Sequence, residues 1–125
     1  KQMHRLLYRD GLTLEQANLD FAMLFRDAFS NAGDGESARV LQRVHDDEIG
    51  HVKLAVTWVR KLAGTDELTA YQANAPFPFS LARAKARRFD EEGRRAAGMS
   101  DAMIAAVKAA RPFAPGANAR PIESA

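Results

Sequence analysis

The stretch HDDEIGHVKLAVTWV, His45 to Val59, decides how this chain folds. Val44, Glu48, His51, Ala55, Trp58 and Leu62 recur at steps of three and four, the spacing of one face of an α-helix. Such a face is normally the apolar stripe that a helix buries. Glu48 and His51 interrupt it, and a buried unpaired charge is costly enough to be paired, neutralised or metal-bound. The stripe therefore asks for an explanation beyond packing.

Working outward, the pattern predicts a helix over Glu36 to Ala63, with Asp34 as its N-cap and Gly64 just past its end. Upstream, Thr13 with Gln16 reads as a capping box opening a second helix that runs to about Asn31. Its buried stripe reads Leu14, Ala17, Phe21, Leu24, Phe25 and Ala28, flanked by Asn18 and Phe29. The break "AGDG", Ala32 to Gly35, is so short that the two helices must run antiparallel as a hairpin. Before Thr13, Leu6, Leu7 and Tyr8 suggest a short helical segment stopped by an "RDG" turn at Arg9 to Gly11.

Beyond Gly64, Thr65 to Ser80 reads as irregular, with "APFPFS" (Ala75 to Ser80) a loop over apolar surface. Ser80 should cap a basic helix from Leu81 to about Arg95, and Ser100 a last one from Asp101 to Ala110. Strand signals are nearly absent. The expected fold is all-α: a long antiparallel hairpin with shorter C-terminal helices across residues 1–111. The tail from Pro112 to Ala125, rich in Pro, Ala and Gly, is expected to be disordered.

The 125 residues allow one domain with a single core. Apolar residues make up 46% of the chain, and His51 and Lys53 interrupt the longest apolar region, so a membrane span is not expected. The opening "KQMHRLLYRD" is charged and lacks the pattern of a signal peptide. With no cysteine, disulfides and thiolate metal sites are excluded, and a cytoplasmic location is expected. A net charge of +2 is too small to imply nucleic acid by itself. The chain begins at Lys1 rather than Met, which suits a fragment or a processed piece.

Depth along the hairpin brings a third residue to Glu48 and His51. Counted from Asp34 at about 1.5 Å per residue, Glu15, Glu48 and His51 lie roughly 28, 21 and 25 Å from the turn. Two carboxylates and an imidazole at one level of a helical bundle match half of a di-metal carboxylate site. In Glu-x-x-His the two side chains share a face and can reach one ion or two adjacent ions. Plainer readings stand beside this one. Glu48 can be solvated beside a core-edge His51, and Glu15 in a first turn simply favours the helix dipole. His45, Asp46 and Asp47 belong mostly to the solvated face, although Asp47, like Asn18 near Glu15, is placed to orient a ligand from behind. Trp58 reads as core.

The block "LEQANLDFAMLFRDAFSNAGDGESARVLQRVHDDEIGHVKLA" resembles the C-terminal half of a bacterial family of ferritin-like proteins of unknown function. The likeness rests on Leu14-Glu15 and Leu19-Asp20, on Ala32 to Asp34 with Glu36-Ser37, on "DEIGHV" (Asp47 to Val52) and on "FDEEGRRAAGM" (Phe89 to Met99). It covers about Leu14 to Val107. The resemblance implies that Glu15 is the single glutamate of a third bundle helix, and Glu48 with His51 the Glu-x-x-His of a fourth. Asp90 stands where Asn is expected and Gly93 where Ala is usual, departures that touch the closing segment. The first helix pair, with its own glutamate and Glu-x-x-His, is missing, and His4 does not replace it because Lys1 stands where its partner glutamate belongs.

Three readings of different class follow. The first is a ferritin-like metal-binding domain of oxidoreductase type using two iron or manganese ions, completed by an N-terminal half or a second copy of the chain. The second is tRNA or nucleic-acid association through the basic helix from Leu81 to Arg95, with Arg83, Arg87 and Arg88 following phosphates. The third is a structural helical module without metal. Substrate, catalytic residues and metal identity are not legible.

Overall fold

The computed structural model describes residues 2–75 and 80–111; the expected tail and the centre of the "APFPFS" loop lie outside the described residues. Every regular element among the described residues is helical, as the patterning predicts. Helix α1 (Gln2–Arg5) passes into a π-helical stretch (Leu6–Glu15) and then α2 (Gln16–Asn31) without a break, since Arg5, Glu15 and Gln16 all keep right-handed helical backbone. After a tight turn, α3 (Gly35–Ala63) returns along it. The shorter α4 (Glu67–Asn74), a 3-10 turn (Leu81–Ala84), α5 (Glu91–Ala96) and α6 (Asp101–Ala109) follow.

The hairpin turn is built from local chemistry. Gly33 takes φ 84°, and the amides of Gly33 and Asp34 donate back to the carbonyls of Ser30 and Phe29, closing α2. Asp34 then accepts the Ser37 amide at 3.0 Å and opens α3. Pairing along the arms is antiparallel: Arg26 Nη1 donates to Gln42 at 2.6 Å, His51 stands beside Glu15, and Gly11 meets Ala55.

Four expectations need correction. No turn forms at Arg9 to Gly11, and Thr13 is no N-cap, because the helix runs through both. Gly11 serves close approach instead: a Cβ there would lie 2.5 Å from the Ala55 Cβ. Gly11→Val should therefore lower stability by about 1–3 kcal/mol through overpacking, measurable as an earlier urea midpoint with an unchanged slope. The segment after Gly64 is not irregular, since Asp66 accepts the Thr69 amide at 3.1 Å and starts α4. The basic helix from Leu81 to Arg95 does not form. Its place is taken by the 3-10 turn, an irregular stretch and α5, capped by Asp90 rather than Ser80.

The fourth correction concerns which face is buried. Ala55 and Glu48 are buried as the stripe required, but Val44 (43% exposed), Trp58 (41%) and Leu62 (60%) are not. The face of α3 that packs is one residue round, with His45, Val52, Val56 and Val59 joining Glu48 and Ala55. Of these, Val52, Ala55, Val56 and Val59 share one hydrophobic cluster with Leu12 and Leu19 of the first arm and Tyr71, Met103 and Val107 of the C-terminal elements. On the first arm Leu14, Phe21 and Phe25 of the predicted stripe are also exposed. Each long helix is apolar over two faces. The C-terminal helices cover one side of the hairpin, and among the described residues the other side stays bare.

Tertiary polar bonds explain why residues 85–90 are not helical. Asp20, fully buried, accepts the backbone amides of Ala86 (2.9 Å) and Asp90 (2.7 Å), and Arg94 takes the carbonyls of Ala84 and Asp90, both at 3.0 Å. Backbone groups that a helix would pair internally are satisfied across the fold instead.

Candidate metal centre

Glu15, Glu48 and His51 converge between the two arms of the hairpin, one ligand-capable atom from each lying within 4.8 Å of the others. Glu48 and His51 share a face of α3 one turn apart, and Glu48 Oε1 meets His51 Nδ1 at 2.6 Å. Glu15, the last residue of the π-helical stretch, brings Oε2 to 4.0 Å from the same nitrogen. Glu48 is 8% exposed, and its second oxygen is buried with no hydrogen-bond partner. A buried acceptor left unpaired costs roughly 1–3 kcal/mol, so the arrangement is one that a cation would relieve.

Electrostatics follow from this crowding. Burial, reinforced by the Glu48 charge, raises the Glu15 pKa above its ordinary value of 4.5. The hydrogen bond that His51 Nδ1 makes to the Glu48 carboxylate raises the His51 pKa above 6.5, against a smaller opposing effect of burial and with help from the charges of Glu15, Glu48 and Asp47. Glu15 and His51 thus both hold their protons more tightly than usual. Beside it, Met3, Leu6, Leu7, Leu54, Ala55 and Trp58 line an apolar groove of about 450 Å³ that Glu15 and His51 border.

The remaining predicted residues are placed differently. Asp47 is exposed and acts on His51 only through space. Asn18 is exposed, one turn along from Glu15, and makes no side-chain hydrogen bond among the described residues. Arg83 and Arg87 are exposed, but Arg88 is held by Asp27 at 2.7 Å, and Arg94, farther along the same stretch, is fully buried. With the helix gone, no basic stripe forms.

Sequence reasoning missed a buried polar network on the flank of the cluster. Arg94 uses all five N–H groups: Nε to Gln16 Oε1 (2.8 Å), two bonds to Asp20 (2.6 and 2.9 Å), and the carbonyls of Asp90 and Ala84. Its guanidinium lies over the Phe89 ring, 3.9 Å from the centroid. His45, expected on the solvated face, is buried with Nε2 on Asp90 Oδ2. Gly93 sits against that pair, where a Cβ would lie 2.1 Å from Asp90 Oδ2. The available signal was Gln16 and Asp20, polar residues four apart on the helix beside apolar Leu12 and Leu19.

A family model described as "Protein of unknown function (DUF455)" matches residues 7–105. The chain belongs to the DUF455 family. The match takes in the hairpin, the Glu15–Glu48–His51 cluster and the Arg94 network together. No curated protein and no solved structure matches the chain. No helix among the described residues is long and apolar enough to cross a membrane.

Proposed function

We propose that this DUF455 chain carries part of a ferritin-like carboxylate–histidine metal site, with Glu15, Glu48 and His51 as its ligands. The observation that carries the reading is the buried, unpartnered Oε2 of Glu48, placed beside His51 and within reach of Glu15. Oxygen and imidazole donors with no thiolate suit iron or manganese, and two such ions would give a di-metal centre able to support oxidoreductase chemistry. Three ligands are too few for two ions of octahedral preference. A second helical pair, from an N-terminal half or another copy of the chain, would supply the others and cover the bare apolar side of the hairpin.

The test is calorimetric titration of the purified protein with Mn²⁺ at several pH values. Binding displaces protons from His51 and Glu15, whose pKa values are raised, so affinity should fall as pH falls and begin to do so above pH 6.5. Below the His51 pKa the loss should approach tenfold per pH unit for each proton released. The same shifts act on the metal-free fold with the opposite slope. The His51 ion pair contributes fully below pH 6.5 and is lost as pH rises through its raised pKa, while Glu15 adds a burial penalty as it ionises. Absence of Mn²⁺ or Fe²⁺ uptake at pH 7.5 would remove the reading.

A further inference from the structure

The Glu15 carboxylate makes no hydrogen bond among the described residues, and its ion-pair contact is His51 at 4.0 Å. Its carboxylate therefore goes where the backbone puts it, and that backbone is π-helical from Leu6 to Glu15. Stretches of this geometry are uncommon and need support from their surroundings. Two buried side chains flanking Glu15 supply it. The Thr13 hydroxyl donates to the Tyr8 carbonyl, five residues back, at 2.6 Å, and so accepts from the Tyr71 hydroxyl, also at 2.6 Å. Gln16 Nε2 donates to the Leu12 carbonyl at 2.7 Å, while its Oε1 accepts from Arg94 Nε at 2.8 Å. Thr13, Gln16 and Arg94 are 0% exposed and Tyr71 is 2% exposed, so water cannot stand in for any of these partners.

We infer that Tyr71 and Arg94 are positioning residues: through Thr13 and Gln16 they hold the π-helical stretch and fix the Glu15 carboxylate against Glu48 and His51. The two braces grip carbonyls one turn apart, and each ties its carbonyl to an element of the C-terminal half. This inference rests on the metal reading above, since it assigns that site its geometry. Loss of a group that orients a ligand ordinarily weakens metal affinity 10–100-fold.

The experiment compares the parent with Tyr71→Phe, which keeps the ring packed on Tyr8, with Gln16→Met, which keeps length but loses both bonds, and with Asp27→Asn as a control on a half-buried ion pair away from the braces. Mn²⁺ affinity, the electron paramagnetic resonance line shape at saturating Mn²⁺, far-UV circular dichroism and amide hydrogen exchange are read on each. The expected result is about tenfold weaker binding and an altered line shape in Tyr71→Phe and Gln16→Met, helicity retained, and parental values for Asp27→Asn. If the parent binds Mn²⁺ and both brace variants bind it equally well with the same line shape, the inference is overturned while the metal reading stands. If the parent takes up no Mn²⁺, the metal reading fails and exchange decides the braces. Faster exchange confined to residues 12–17 in the two variants keeps them, and parental exchange there overturns them.

Discussion

Arg94→Met should cost about 3–5 kcal/mol of stability, the size seen when one partner of a buried ion pair is removed. The substitution keeps the length and apolar body of the side chain but deletes every N–H. Asp20, 0% exposed, loses both guanidinium bonds, and Gln16 Oε1 and the carbonyls of Ala84 and Asp90 lose their donors. A domain of this size holds only about 5–15 kcal/mol in total, so the variant should be largely unfolded under mild urea. Adding Asp20→Leu should not restore it, because Asp20 also accepts the amides of Ala86 and Asp90, which would then be buried and unpaired. An unfolding free energy from urea titration within about 1 kcal/mol of the parent's would show that the network is decoration.

Glu48→Gln should act in the other direction on stability and far more strongly on metal. Uptake of Mn²⁺ or Fe²⁺ should fall by more than about a hundredfold, beyond what the loss of a supporting group produces, because the side chain removed is itself a ligand. The metal-free variant should be at least as stable as the parent. Its amide oxygen can still accept from His51 Nδ1, and the buried, unpartnered Oε2 is replaced by an uncharged amide NH2. Groups kept for function often sit where a neutral isostere would be more stable. Equal metal content in parent and variant, measured by elemental analysis after dialysis, would end the assignment of Glu48 as a ligand.

The hairpin and the convergence of Glu15 with Glu48 and His51 were legible because both depend on local signals: period, a glycine past a helix end, Asp34 as cap, and distance along two rods of known rise. What failed depended on contacts across the fold. Thr13 and Gln16 have the letters of a capping box, yet their side chains are drawn to Tyr71 and Arg94, residues no local pattern connects to them. Residues 85–90 have helical propensity, but Asp20 takes their amides. The stripe through Val44, Trp58 and Leu62 was read as the buried one because periodicity identifies apolar faces, not which of two faces finds a partner. His45 looked solvated for the same reason, since its partner Asp90 lies 45 residues away.

The anchor of the first long helix lies 74 to 78 residues downstream of the side chains it holds. On a ribosome adding about 5–20 residues per second, Asp20 waits roughly 4 to 15 s before Arg94 has been polymerised. Once Ala63 has been added, the nascent hairpin has its turn and both arms but not yet the Arg94 bonds to Gln16 and Asp20. On the inference above, its Glu15 carboxylate is not yet braced against Glu48 and His51. On that inference the proposed site is completed only once the last third of the family domain has been translated.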